Sequence, residues 1–206
     1  MVTVKNLVLG MLSANCYFVQ NPDTGEMFLV DPAASPERIE AQIAAMDGKP
    51  AAILLTHGHY DHMLAADTIR KKYGIPVYVH EKEQELLGDG EKNLSAVWSV
   101  RYTMQADCTV KEGDLLEIAG YRIRVMATPG HTAGSVCYYL EDEQVLFSGD
   151  TLFCESYGRY DFPTSSGRDL IASVKRLLLL PEGVKVYPGH NESTDIEHEK
   201  RYNPLA

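Results

Sequence analysis

Short apolar runs alternate with amphipathic stretches along the chain, and their periods predict its elements. Residues 2–9 and the run Cys16-Tyr17-Phe18-Val19 read as two strands, and Met27-Phe28-Leu29-Val30 as a third ending at Asp31-Pro32. Ser35 followed by Pro36 marks a helix start, with Ile39, Ile43 and Met46 at helical spacing before Gly48. Residues 51–56 form a short, wholly apolar stretch and predict a buried strand. A helix over 63–73, closed by Gly74, and a strand over 75–80 follow. Residues 81–107 are patterned more weakly. They hold a helical turn or two around Gln84-Glu85-Leu86-Leu87, a Gly-rich break, and then 93–102, where Trp98 and Tyr102 read as core side chains.

The second half is clearer. Residues 115–118 and 121–127 form a hairpin about Ala119-Gly120, with Ile123 and Val125 alternating against Arg122 and Arg124. Residues 135–140 and 145–148 make another strand pair. Ser166 can cap a helix whose apolar face is Leu170, Val174, Leu177 and Leu178, stopped by Pro181. Residues 184–187 are the last strand, and Thr194 with Glu197 has capping-box spacing for a terminal helix. Strands interleaved with helices, without low-complexity segments or short repeats, imply an α/β layered sandwich. A length of 206 residues fits one domain, 1–206.

Charge and cysteine content narrow the partners. The net charge of −10 repels a polyanion, and the only basic clusters, Lys71-Lys72 and Arg122/Arg124, read as solvated faces, so no nucleic-acid partner is expected. No apolar run approaches the roughly 20 residues of a membrane span. The N-terminus does not read as a signal peptide, since Lys5 is its only basic residue and Asn6, Ser13 and Asn15 interrupt it. The charge by itself points to no partner class, and a cytoplasmic protein is expected. In that setting Cys16, Cys108, Cys137 and Cys154 stay unpaired. Cys16 and Cys137 act as small hydrophobes within strands, and Cys154 reads as a buried structural thiol.

What ends the strands carries the chemistry. Ile53-Leu54-Leu55 runs into Thr56-His57-Gly58-His59-Tyr60-Asp61-His62, and Val125-Met126-Ala127 into Thr128-Pro129-Gly130-His131. Val145-Leu146-Phe147 runs into Ser148-Gly149-Asp150, and Val184-Lys185-Val186-Tyr187 into Pro188-Gly189-His190. Four buried strands each deliver a His or Asp just past their carboxyl ends, three of them through a glycine. If the four ends share one sheet edge, imidazoles and carboxylates converge there. Seven candidate ligands, His57, His59, Asp61, His62, His131, Asp150 and His190, exceed what one tetrahedral zinc needs, and two ions account for them better. His80 lacks the glycine context and His198 lies in the terminal helix. Both read as structural or solvated.

Taken together, the H-x-H-x-D-H cluster, Thr128-Pro129-Gly130-His131-Thr132, Ser148-Gly149-Asp150-Thr151 and Pro188-Gly189-His190 resemble the metallo-β-lactamase superfamily. Gly158-Arg159-Tyr160-Asp161-Phe162-Pro163 and the Tyr202-Asn203-Pro204 tail are similar to short, single-domain glyoxalase II-like (hydroxyacylglutathione hydrolase-like) proteins. The resemblance implies a four-layer αββα sandwich (the metallo-β-lactamase fold). It implies that His57, His59 and His131 hold one divalent ion, with zinc first and iron or manganese as alternates. Asp61, His62 and His190 would hold the second, with Asp150 bridging. Asp31 would support the metal loop from outside. The implied activity is thioester hydrolysis by a hydroxide held between the ions, with Asp61 also orienting it. A small-molecule thioester or ester substrate is expected from this resemblance only. A persulfide dioxygenase-like enzyme with one iron, and a hydrolase of another ester or lactone, are the alternatives. A nuclease is disfavoured by the charge, and a non-catalytic binding module by the completeness of the ligand set. Two features depart from glyoxalase II: the chain stops at Ala206, without its C-terminal helical domain, and Glu155-Ser156-Tyr157 and Asn191-Glu192 differ from the loops common in relatives. Both loops flank candidate ligands, so a reshaped substrate pocket is expected.

Overall fold

In the computed structural model, which describes residues 1–206, the apolar runs pair into two six-stranded sheets. The first follows chain order: β1 (Thr3–Leu9), β2 (Ala14–Gln20), β3 (Glu26–Val30), β4 (Lys49–Leu54), β5 (Val77–His80) and β6 (Cys108–Val110). The second contains β7 (Leu115–Ile118), β8 (Tyr121–Ala127), β9 (Val136–Leu140), β10 (Val145–Gly149), β13 (Lys185–Pro188) and β14 (Thr194–Asp195), ordered 14-13-10-9-8-7. A small ribbon, β11 (Leu152–Phe153) and β12 (Ser156–Tyr157), follows β10. The helices are α1 (Pro36–Ala45), α2 (Tyr60–Met63), α3 (Ala66–Tyr73), α4 (Gln84–Leu87), α5 (Gly167–Leu177) and α6 (Ile196–Tyr202). None is long and apolar enough to cross a membrane.

Three hydrophobic clusters stack these elements into four layers. Successive residues of one strand belong to different clusters, as the two-residue period requires. Phe18, Leu29 and Ile53 pack under α1 and α3 with Ile39, Ile43 and Ile69. Val19, Phe28 and Leu54 face the other sheet, where they meet Val125, Tyr138 and Phe147. Beyond that sheet, Cys137, Tyr139 and Leu146 pack against Leu170, Val174 and Leu177 of α5 and Ile196 of α6. Both faces of each central strand are buried, which is why their sequences run apolar without alternation. The expected αββα sandwich is what forms.

Local chemistry explains the boundaries, including two that differ from expectation. The helix expected over 63–73 is divided into α2 and α3, because the Ala65 N–H donates across to the Pro32 carbonyl (3.0 Å). Gly74 closes α3 in the left-handed region, as its position suggests. Ser166 Oγ accepts the Asp169 N–H and caps α5 as expected. At α6 the cap is Asp195, not Thr194 with Glu197. Thr194 is committed to β14 opposite Val186, and its hydroxyl donates to the buried Glu199 carboxylate (2.6 Å).

Residues 88–107 contain no helix or strand and are held by side chains. Asn93 Nδ2 and Ser95 Oγ both donate to the Tyr102 carbonyl, each at 2.9 Å. Tyr102 packs against the first cluster, as expected of a core residue. Trp98 does not: it is half exposed, because no periodic element fixes which way that segment turns its side chains.

Candidate metal centre

Strand β8 is antiparallel to β9, β9 to β10, and β10 is parallel to β13. The carboxyl ends of β8, β10 and β13 therefore lie on one edge of the second sheet. The end of β4 arrives from the facing sheet, where the Thr56 carbonyl accepts the Val136 N–H (2.9 Å) and the Leu55 carbonyl accepts the Tyr138 hydroxyl (2.9 Å). The four strand ends singled out in the sequence meet there. Two glycines are required by space. A Cβ on Gly130 (φ +142°) would lie 2.3 Å from the Leu170 backbone, and one on Gly189 would lie 2.2 Å from Asp150 Oδ1.

Seven side chains converge in two groups. His57, His59 and His131 form the first, their ring centroids 4.7 to 4.8 Å apart and His59 Nδ1 2.9 Å from His131 Nε2. Asp61, His62 and His190 form the second. There His62 Nε2 lies 3.3 Å from His190 Nε2, and Asp61 Oδ2 lies 3.6 and 3.4 Å from those two nitrogens. Asp150 stands between the groups. Its Oδ2 is 3.4 Å from His131 Nε2 and 3.6 Å from His190 Nε2, and its Oδ1 is 3.5 Å from His62 Nε2.

Hydrogen bonds on the far side of the rings aim them inward. His131 Nδ1 faces the Arg159 carbonyl (2.9 Å), which can only accept, so a neutral His131 keeps its lone pair at Nε2. His62 Nδ1 faces Asp31 Oδ2 (3.0 Å). Thr56 gives its hydroxyl proton to the same oxygen (2.7 Å), so His57 Nδ1 donates to Thr56 Oγ1 (3.1 Å). Asp31 also accepts the Thr56 N–H (2.8 Å), which is the supporting position expected of it.

This arrangement fits a cation. His57 Nε2, His59 Nε2 and Asp150 Oδ1 are buried without a hydrogen-bond partner. Buried polar atoms left unpaired cost about 1–3 kcal/mol each. Each group presents three donor atoms within 4.8 Å of one another. Burial, and then the neighbouring imidazoles, hold His57 and His59 well below the ordinary histidine range, in the neutral form a metal needs. Burial opposes charge at His62 too, but the Asp61, Asp150 and Asp31 carboxylates outweigh it and lift that residue to about 10.

The sequence profile described as the Metallo-beta-lactamase superfamily matches residues 9–190, nearly the whole chain. The chain belongs to this superfamily. A relative from Bacillus subtilis (strain 168), "Probable metallo-hydrolase YqgX", is 36% identical, covering 98% of this chain and 96% of its own length. "Hydroxyacylglutathione hydrolase GloC" of Haemophilus influenzae is 30% identical, covering 93% and 92%. Among solved structures, BLEG-1 B3 metallo-beta-lactamase superposes with a TM-score of 0.94 at 38% identity, over 98% of this chain and 99% of that one. TTHA1623 in a di-iron-bound form superposes with a TM-score of 0.87 at 34% identity, over 98% and 100%.

In this metallo-hydrolase, several positioning residues carry no signal as candidate ligands. Glu83 is fully buried and accepts the Gly58 N–H (2.7 Å) and the Gly134 N–H (2.8 Å), tying the His57–His59 loop to the loop after His131. A faint trace exists: Glu83 shares helical spacing with Leu86 and Leu87, which sets a carboxylate on an apolar face. From β2, Asn15 Nδ2 donates to the Pro188 and Asn191 carbonyls (both 2.9 Å), and the Tyr17 hydroxyl donates to Pro188 (2.6 Å), fixing the His190 turn.

His80 lies outside both groups, its Nδ1 accepting the Lys82 N–H (3.2 Å). His198 Nε2 lies 3.0 Å from Glu155 Oε1. Cys154 is only partly buried and stands beside that pair, so the expectation of a buried structural thiol is corrected. Cys16 and Cys137 are buried and unpaired, as expected.

Proposed function

We propose that this metallo-hydrolase is a binuclear thioester hydrolase of the hydroxyacylglutathione hydrolase type. The observation that carries the proposal is Asp150, a carboxylate within 3.6 Å of ring nitrogens from both three-residue groups. In this reading His57, His59 and His131 would hold one divalent ion and Asp61, His62 and His190 the other, with Asp150 available to both. Zinc suits such mixed imidazole and carboxylate donors, and iron and manganese are alternates, the di-iron-bound TTHA1623 being a case of iron in a similar chain.

When bound, such ions lower the pKa of water to about 7 and polarise a carbonyl oxygen. The protein's own residues supply position and proton handling. Asp31, Thr56 and the Arg159 carbonyl keep the ring nitrogens aimed inward. Burial raises the Asp61 carboxyl, but His62 and His190 outweigh it and hold the group well below the usual range, so Asp61 stays ionised and would orient the attacking water by accepting a hydrogen bond from it. Phe162 packs edge-on to His59 and His131 and limits water access from that side. No side-chain nucleophile is needed, and Cys154 does not line the cleft over the metal groups.

The similarity to GloC supports the thioester reading, and the completeness of the second group supports two ions over the single iron of a persulfide dioxygenase-like enzyme. The test is metal analysis combined with two assays, thioester turnover and oxygen uptake on glutathione persulfide. Two ions per chain and thioester turnover without oxygen uptake are expected. Oxygen uptake without thioester turnover overturns the proposal.

A further inference from the structure

A cleft of about 680 Å³ opens over the metal groups, and its outer wall does none of the chemistry described above. Leu12, Leu94, Val97 and Trp98 form one side, with Phe153 and Phe162 facing them. Leu12 comes from the turn between β1 and β2, and Leu94, Val97 and Trp98 from the irregular 88–107 segment. Three of these are left in the open: Val97 is 68% exposed, Trp98 48% and Leu12 37%. Large apolar side chains gathered at one cleft mouth mark a binding surface.

The charges of the cleft limit what that surface can take. Arg159 is the only Lys or Arg lining it, and that guanidinium is already committed. Its Nε and Nη2 donate to the two Asp161 oxygens at 2.9 and 2.8 Å, and it lies 4.5 Å over the Phe162 ring. The other charged groups of the cleft, Asp61 and Asp150, lie at its floor, where they are proposed to hold metal. Away from Arg159 the outer wall offers a charged group no partner, and its exposed surface is aliphatic and aromatic.

We infer that the cleft selects substrates presenting an uncharged, apolar group, aliphatic or aromatic, to the wall of Leu12, Val97, Trp98, Phe153 and Phe162. This rests on the hydrolase reading and names its substrate class. In the reaction, water oxygen bonds to the acyl carbon, the C–S bond breaks, and acid and thiol leave. The apolar group can belong to either product. Burying it favours binding by up to about fourfold per methylene while the chain still touches the wall.

Trp98 is the only tryptophan, so its emission reports occupancy of the cleft without turnover. Metal-loaded protein is titrated with non-hydrolysable S-alkyl thioethers of N-acetylcysteamine, methyl to octyl, and with S-alkylglutathiones of matched length. Affinity is expected to rise several-fold per methylene over the first carbons in both series. Val97→Asp, at an exposed position that leaves the core intact, is expected to reduce the octyl-to-methyl affinity ratio about tenfold. Two kinetic arms then separate the sources, one lengthening the acyl group on a fixed thiol and one lengthening the thiol on a fixed acetyl group. A gain in kcat/KM along either arm supports the inference and says which side occupies the wall. Flat affinity along both alkyl series overturns it. Length-dependent binding with no thioester hydrolysed sinks the hydrolase reading alone.

Discussion

The two halves of the metal centre are built from different materials. His57, His59 and His131 are all imidazole and lie deep, whereas Asp61, His62 and His190 include a carboxylate, with Asp61 14% and His190 20% exposed at the cleft. The second half can satisfy itself by pairing acid with base, as the position of Asp61 beside His62 and His190 shows. The first half can do so only in part: His59 Nδ1 and His131 Nε2 approach to 2.9 Å, but His57 Nε2 and His59 Nε2 are left unpartnered. Two buried carboxylates brace the centre, and Asp31 bears on both halves because it also fixes Thr56 beside His57. Asp31 orients His62, and Glu83 holds the loops that carry the first half. Neutral imidazoles thus make a site with an intrinsic need for a cation, and acid–base pairs make one that tolerates its absence.

The bluntest way to break this comparison is at the residue common to both halves. Asp150→Asn is expected to lower metal content in both and to remove several kcal/mol of transition-state stabilisation, on the order of 10³-fold in turnover. Two full ions and normal turnover in that variant would contradict the shared role. Next in size is the order of metal loss. His190→Ala should leave one ion bound per chain, and in the unaltered protein a chelator should strip the more open second half first. Release of both ions in one step would erase the distinction.

A subtler contrast sets the two supporting carboxylates against each other. Asp31→Ala is expected to weaken the second ion about 10- to 100-fold. Glu83→Ala strands the Gly58 and Gly134 N–H groups at about 1–3 kcal/mol each and should weaken the first ion more than the second. Site-resolved metal titration, with Glu83→Gln as a milder partner, measures both. Equal effects on the two ions in both variants would show that the halves are not separately supported. The smallest effect belongs to His80→Ala. It removes one acceptor of a short turn, costs about 1 kcal/mol in thermal denaturation, and leaves metal content unchanged. Loss of an ion there would add His80 to the centre.

Much of this arrangement was legible before any coordinates, for a physical reason. A strand buried on both faces must be apolar throughout, so a His or Asp at its end stands out. All four such ends, at residues 57–62, 131, 150 and 190, are brought to one edge. What stayed hidden depends on long-range partners. Nothing near Ala65 forecasts that its N–H turns to Pro32 and interrupts a helix, and nothing in the capping-box spacing reveals that Thr194 is taken up by pairing with Val186. Glu83 and Asn15 look like ordinary polar residues until their distant acceptors and donors are known. Trp98 was misplaced in the core because a segment without a period gives no rule for inside and outside.

The centre is assembled across a seam. One histidine-rich loop belongs to the first sheet, while His131, Asp150 and His190 belong to the second. An ion held by both would therefore act as a rivet between two slabs that also meet through side chains such as Phe28, Tyr138 and Phe147 and through the Thr56–Val136 backbone hydrogen bond. Sliding one slab over the other by a fraction of an ångström would alter at once every distance in the centre that crosses the seam. Residues buried midway between the sheets, far from any substrate, thereby help set how tightly the metal is held, and the metal in turn resists the slip.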